Sequence, residues 1–266
     1  MPAFLIASRA NPRVKQLRAS FAGNARLSEG LVGVEGENLI REVLRSGIAL
    51  HTVFLSERTP APAWLPRGVE ILRVAADLFA AAVDTQSPQG IAALLEPPHW
   101  ELESALATRA NSSAPLLLIA AGLQNPGNLG TLIRSAEAFA ATAVLTTPGT
   151  VSPWNQKALR ASAGSVFRVP VVAVSHDDLS ALKQRGIRIL AAIAPEAGSK
   201  PAALPDLTQP CALMIGNEGA GLAPDLLALA DARIAIPTPG PVESLNAAVA
   251  GSLLLYEASR QHLASQ

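Results

Sequence analysis

The stretch IPTPGPVESLNAAVAGSLLLYE, Ile236–Glu257, decides how this chain is read. Its first part is rich in proline with one glycine, residues that fix or free the backbone and so build an irregular loop rather than a regular element. Glu243, Ser244 and Asn246 follow at the mouth of a long apolar helix over SLNAAVAGSLLLYEASRQHL, with Ser244 as the expected N-cap. A cap accounts for one of these polar residues, not three. Ala247, Ala248, Ala250 and Gly251 are small enough for this helix to lie close to another backbone, in a core or at a subunit interface.

Upstream, apolar runs and helical patterns alternate. PLLLIAAG, TAVLTT, FRVPVVAV, IRILAAIA, CALMIG and RIAIP read as strands. Between them NLGTLIRSAEAFA, entered through a Gly-rich loop, SPWNQKALRASAG and HDDLSALKQRG, with Asp177 or Asp178 at its start, read as helices. Such alternation predicts a mostly parallel sheet covered on both faces. PPHW, the short helix ELESALATRA and NSSAP mark a boundary, so the expected division is a domain over 1–98, a linker over 99–113 and a second domain over 114–266. The first domain also alternates. NPRVKQLRASF is a helix capped by Asn11, and ENLIREVLRSG an amphipathic helix stopped by Gly47. LVGVEG, LHTVFLS, VEILRV and GIAALLE are strands, and DLFAAAV a helix. The fold class is α/β throughout.

Composition sets limits. Half the chain is apolar, so each domain can bury a core. Lys plus Arg equals Asp plus Glu at 21 each, which excludes holding nucleic acid by bulk charge and leaves only local basic patches. One such patch exists: Arg9, Arg13, Lys15, Arg18 and Arg26 precede the first acid. It reads as a basic arm or as a solvated helix face. The single cysteine, Cys211, permits no internal disulfide, which fits a reducing cytoplasm. The four histidines show no metal-ligand spacing, and no apolar run reaches the ~20 residues that span a bilayer. The expectation is a cytoplasmic protein with no metal and no membrane partner.

Two further loops follow apolar strands, where open α/β sheets bind ligands. In QNPGNLGTLIRSAEAF, residues 124–139, Gly127 and Gly130 are expected to turn the chain tightly, Asn128 to hydrogen-bond the loop or a substrate, and Arg134 to face the loop's side of the helix. The loop has neither the phosphate-loop nor the dinucleotide spacing. In MIGNEGAGL, residues 214–222, three glycines allow close approach of backbone to a flat ligand, and Glu218 places an acid there.

Taken together, the three loops resemble the three motifs of the SpoU (TrmH) family of RNA 2′-O-ribose methyltransferases, in the SPOUT superfamily. The family pattern N-x-G-x-x-x-R-x-A is met by Asn128, Gly130, Arg134 and Ala136; G-x-E-x-x-G by Gly216, Glu218 and Gly221; I-P-M-x-G-x-x-x-S-L-N by Ile236, Pro237, Gly240, Ser244, Leu245 and Asn246. Thr238 departs from it, standing where the family usually has Met. KALRASAGSVFRVPV, with Arg160, resembles the family's intervening R-x-S-x-G segment. The N-terminal half is similar to the ribosomal-protein-like α/β domain with which many members bind RNA.

The resemblance implies a C-terminal trefoil-knot domain, a homodimer, S-adenosylmethionine as cofactor and RNA as substrate, ribosomal RNA before transfer RNA. It implies that Gly216, Ile236 and Leu245 contact the cofactor, largely through backbone. Arg134, Asn128, Glu218, Ser244 and Asn246 would form the catalytic set, and Arg9, Arg13, Lys15, Arg18 and Arg160 would face RNA. Transfer to a ribose hydroxyl needs alignment and help with the proton. A guanidinium stays protonated in proteins, so Arg134 is expected to clamp phosphate and hydroxyl rather than act as a literal base. The competing readings are a silent RNA-binding homologue, a knotted enzyme acting on a base nitrogen, and a Rossmann-type methyltransferase. The last would need an acid at the end of its second strand, where this chain has LTTPG.

Overall fold

The computed structural model describes residues 5–21, 30–83, 85, 87–107, 114–195 and 205–265, so Arg26 lies outside the described residues. Its contacts divide the chain into two units: Met1–His99 with Trp154–Phe167, and Trp100–Pro153 with Arg168–Gln266.

In chain order the elements up to His99 are β1 (Leu5–Ile6), α1 (Pro12–Phe21), β2 (Val32–Glu35), α2 (Glu37–Arg45), β3 (Leu50–Ser56), β4 (Glu70–Val74), α3 (Ala76–Val83) and β5 (Ile91–Leu95). They form a mixed sheet of order β1-β4-β3-β5-β2, with β5 antiparallel to both of its neighbours. Val14, Leu17 and Phe21 of α1 and Leu78, Phe79 and Ala82 of α3 pack on Phe54, Val74, Ala92 and Leu94 from one sheet face. Asn11 caps α1 as expected, its Oδ1 accepting the Arg13 N–H at 2.8 Å. Gly47, at φ +74°, follows α2.

The chain continues with α4 (Leu102–Ala107), β6 (Leu116–Ala120), α5 (Pro126–Ala138), β7 (Ala143–Thr146), α6 (Gln156–Ser162), β8 (Val171–Ala173), α7 (His176–Gln184), β9 (Arg188–Ala192), β10 (Cys211–Ile215), α8 (Pro224–Leu229), β11 (Ala232–Ile234) and α9 (Ala247–Ala264). The second unit holds a six-stranded sheet of order β11-β9-β10-β6-β7-β8, in which every pairing is parallel. A parallel sheet is buried on both faces, and the alternation shows it. Leu117, Ile119, Ala212 and Met214 join a core with Leu179 and Leu182 of α7. The intervening Leu118 and Leu213 are equally buried. On that other side α9 lies against α5, β10 and β6. A Cβ on Gly251 would collide with Leu132 of α5 and reach Ile215 at 3.3 Å, so the small-residue stripe of α9 serves the core at this position.

Several local expectations change. FRVPVVAV is not one strand. Ser165–Phe167 forms a 3-10 turn, and pairing starts only after Pro170, which cannot donate to a ladder. Ser175, not an aspartate, caps α7. Its Oγ accepts the Asp178 N–H at 3.2 Å while Asp178 Oδ2 accepts the Ser175 N–H at 2.7 Å. These bonds hold the Asp178 carboxyl below its ordinary range, first through the backbone N–H and then the hydroxyl of Ser175. Cap stability is therefore present above the ordinary carboxylate pKa and is lost as pH falls through the depressed value. Cys211 is buried, and desolvation pushes its thiol up to about 11, so it is held as an inert thiol. Among the described residues no helix is long and apolar enough to cross a membrane.

Candidate functional site

A cavity of about 460 Å³ opens at the carboxyl ends of β9, β10 and β11. Ala192 to Pro195 line it after β9, Gly216, Asn217 and Glu218 after β10, and Ile236, Thr238, Ser244, Leu245 and Asn246 on the approach to α9. The segments that leave three neighbouring strands of a parallel sheet thus come together in one place. The size falls within the range of small-molecule and cofactor sites, about 300–1,000 Å³.

The loop after β10 is held by a residue the motif reading passed over. Asn217 and Gly221 exchange backbone hydrogen bonds, Asn217 N–H to Gly221 O at 2.9 Å and Gly221 N–H to Asn217 O at 3.0 Å. Inside that bridge Asn217 Oδ1 accepts the N–H groups of Gly219 and Ala220 at 2.9 and 3.0 Å. Its amide Nδ2 donates to Gly122 O at 3.0 Å, and Gly122 N–H in turn is bound by Thr150 Oγ1 at 3.0 Å. One asparagine therefore shapes the loop and fastens it to the end of β6. The signal for it lay in the dipeptide-level turn chemistry of Asn-Glu-Gly, where Asn folds back on N–H groups two residues on. Gly216 is held just as closely. A Cβ there would lie 2.5 and 2.6 Å from the carbonyl carbon and oxygen of Gly221.

The three motifs meet through side chains. Asn128 Nδ2 donates to Glu218 Oε1 at 2.7 Å, and Asn246 Nδ2 donates to Asn128 Oδ1 at 3.2 Å. Asn246 Oδ1 then accepts the N–H groups of Ala248 and Val249 at 2.9 and 3.2 Å. Asn246 is thus the N-cap of α9, the position expected for Ser244, and the cap fixes which way its amide points. Asn128, at 8% exposure, sits in the middle and is bonded on both sides of its amide. Asn128→Ala strips partners from both neighbours, so we expect a loss of about 1–3 kcal/mol in urea unfolding. An unchanged midpoint would show that the relay carries no stability.

Asn128 can occupy this place because α5 begins earlier than the sequence suggested. Pro126 takes its first position, and Asn125 Oδ1 accepts the N–H of Gly127 at 2.9 Å. Gly127 and Gly130 are therefore helical residues rather than turn residues. Arg134 lies on the exposed side of α5, has no hydrogen bond or ion pair among the described residues, and is not part of the cavity lining. Ser244 is exposed at the cavity rim.

In the first unit Arg9, Lys15 and Arg18 are exposed, whereas Arg13 donates through Nη2 to both carboxylate oxygens of Glu70, at 2.8 and 2.9 Å. Arg160 is exposed on α6 and belongs to this unit, not to the one holding the cavity. Among the described residues no group of three or more His, Cys, Asp and Glu could hold a metal.

Known proteins match this layout along the whole chain. The SpoU rRNA Methylase family model covers residues 115–256, and an MRM3-like substrate binding domain covers 11–93. The 23S rRNA (guanosine(2553)-2′-O)-methyltransferase RlmP of Bacillus subtilis is 34% identical over 252 residues, covering 94% of this chain and 97% of its own. The AviRb SpoU methyltransferase of Streptomyces viridochromogenes, solved in complex with AdoMet, superposes with a TM-score of 0.81 at 30% identity, over 95% of this chain and 98% of that one. A crystal structure of an RNA 2′-O ribose methyltransferase gives 0.79 at 33% identity, over 98% and 100%. With a methylase core matched over more than half its length and full-length relatives of the same architecture, the chain belongs to the SpoU rRNA methylase family.

Proposed function

We propose that this protein transfers a methyl group from S-adenosylmethionine to a ribose 2′-hydroxyl of ribosomal RNA, as the names of its relatives say of them. The observation that carries the reading is the Glu218–Asn128–Asn246 chain of hydrogen bonds, which ties the first turn of α5, the loop after β10 and the cap of α9 together beside one cofactor-sized cavity. The residues fit this cofactor. Gly216 presents bare backbone where no Cβ is tolerated, Ile236 and Leu245 give an apolar slot, and the rim is polar. When bound, S-adenosylmethionine supplies a sulfonium-activated methyl group with a neutral leaving group.

The chain's own residues then have to position the 2′-oxygen and dispose of its proton. Arg134, unpaired among the described residues, offers a forked donor that suits a phosphate and the hydroxyl beside it. It orients and polarises the hydroxyl, and the phosphate accepts the proton. Asn128 and Glu218, locked to each other, hold the loop and ribose side of the site. Ser244 and Asn246 bound it at the start of α9.

Arg134 lies outside the cavity lining, and this favours a homodimer in which one chain's arginine serves the partner's cavity. The exposed stripe Val249, Leu253 and Tyr256 recurs at helical spacing along α9, at 48, 43 and 52% exposure, and Tyr256 meets Phe139, the C-cap of α5, edge-on. Leu253→Glu is expected to yield monomers in analytical ultracentrifugation with little activity. An unchanged dimer, or a fully active monomer, would overturn this assignment. The return of the chain from edge strand β11 to α9, over β10 and β6, supports the trefoil knot of the family.

The deciding experiment is transfer of labelled methyl from S-adenosylmethionine to in vitro transcribed 23S rRNA, with mapping of the alkali-resistant linkage. Methylation of transfer RNA with 23S rRNA untouched would replace the substrate. Cofactor binding with no methyl transfer to any RNA would leave a silent homologue.

A further inference from the structure

The first unit contains a second cleft, of about 490 Å³, that the chemistry above does not use. It lies between the end of β2, the outer turns of α2, Gln89 and α6. Glycines hold its walls together. Gly36, at φ +97°, leaves room for the Gln89 amide, which a Cβ would meet at 2.9 Å. Gly164, at φ +90°, lets the end of α6 lie on Glu42, whose Cβ would be 2.5 Å from an added methyl. Gln156 Nε2 donates to Gly33 O on edge strand β2 at 2.8 Å and pins the same segment.

The polar groups of this cleft are unevenly satisfied. Glu35 is half-buried and, among the described residues, accepts only the Gln89 N–H, at 2.6 Å to Oε1. Burial raises its carboxyl pKa, opposed by that N–H and by the charge of Arg160. The side-chain amides of Asn38 and Gln89 have no hydrogen bond among the described residues. Arg41 is engaged by Glu37 at 2.7 Å and Arg45 by Glu42 at 2.6 Å. Arg160 has no hydrogen bond or ion pair among the described residues. Among the described residues the cleft therefore presents the Arg160 guanidinium, the Glu35 carboxylate and the spare amides of Asn38 and Gln89 around the apolar atoms of Leu39 and Ala163, while Glu42 is held by Arg45. A lipid or an aromatic acid would leave the amides and the carboxylate unmet, at a cost. A nucleotide meets all of them, with phosphate on the guanidinium and base edge on the carboxylate and amides.

We propose that this cleft seats one unstacked nucleotide of the RNA substrate, its phosphate on Arg160 and its base edge against Glu35, Gln89 and Asn38. The proposal rests on the reading of the protein as an RNA methyltransferase. An ionised carboxylate only accepts, so a base with an exocyclic amino group suits Glu35, whereas uracil turns carbonyls toward it.

The test uses the full chain. Arg160→Gln and Glu35→Gln are each expected to raise KM for 23S rRNA about tenfold, with the calorimetric affinity for S-adenosylmethionine unchanged. In fluorescence anisotropy the unsubstituted protein should bind oligoadenylate and oligocytidylate more tightly than oligouridylate, and Glu35→Gln should erase that preference. Both variants methylating 23S rRNA with the KM of the unsubstituted protein would overturn the cleft while leaving the methyltransferase reading intact. Equal binding of all three oligomers by the unsubstituted protein would overturn the role given to Glu35. Failure of the unsubstituted protein itself to methylate or bind any RNA would instead overturn the underlying reading, and the cleft with it.

Discussion

Arg134→Lys is expected to lower methyl transfer about 100-fold or more, equivalent to about 2.7 kcal/mol of transition-state stabilisation, while folding and cofactor affinity stay as they are. Unchanged folding and cofactor affinity are what make the loss diagnostic. Arg134 is exposed, bonds to nothing among the described residues and does not line the cavity, so its replacement removes no hydrogen bond or ion pair among them. A lysine keeps the charge but loses the planar fork that can hold a phosphate oxygen and a hydroxyl together. Single-turnover rates with saturating S-adenosylmethionine, beside calorimetry of cofactor binding, separate the two effects. Near-normal turnover in the lysine variant would remove the fork from the mechanism and leave only a positive charge at that position.

The second large effect belongs to Gly216. An alanine methyl there would press on backbone, 2.5 and 2.6 Å from the Gly221 carbonyl carbon and oxygen and 2.8 Å from the Leu222 nitrogen. Backbone cannot rotate aside as a flexible side chain can. The paired hydrogen bonds of Asn217 and Gly221 must open instead, and the cavity wall moves with them. We expect Gly216→Ala to weaken S-adenosylmethionine binding at least about tenfold and to cost about 1–3 kcal/mol in stability, the usual range for overpacking. Gly219→Ala is the control for stability alone, because within the described chain its added methyl would meet only Asn217 Oδ1, at 3.7 Å. Ordinary cofactor affinity in Gly216→Ala would place the cofactor elsewhere.

How much of this was legible before the structure differs by kind of information. The alternation of apolar runs with helical patterns carried the α/β class, and the parallel sheet of the second unit follows from it. Two-residue β1 was beyond reach, since Leu5 and Ile6 become a strand only by pairing with Arg73 and Val74. FRVPVVAV misled because hydrophobicity cannot show where Pro170 interrupts a ladder. At the site, the motif spacing brought Asn128, Glu218 and Asn246 to notice, but not that they bond to one another, which depends on sheet order. Ser244 and Asn246 are both good caps, and only the loop path ahead of α9 decides between them. Asn217 escaped because its work is to hold backbone, a role that residue type suggests only weakly. The basic N-terminal residues looked alike in sequence, yet Glu70, far along the chain, removes Arg13 from the set available to a partner.

The attachment of Trp154–Phe167 to the first unit has a consequence for how such proteins can be recombined. Trp154 stacks on Phe167 at 6.2 Å between ring centroids, Gln156 reaches Gly33, and only a glycine at 164 clears Glu42. A family boundary drawn along the chain assigns all of this to the methylase half, residues 115–256. A chimera joined at a single crossover near residue 100 would therefore inherit α6 from one parent and the β2–α2 surface it fits from the other. Exchanges that keep Gln156 with Gly33 and Gly164 with Glu42 need two crossovers, and evolution of the first unit is coupled to a segment encoded inside the stretch that continues into the other one.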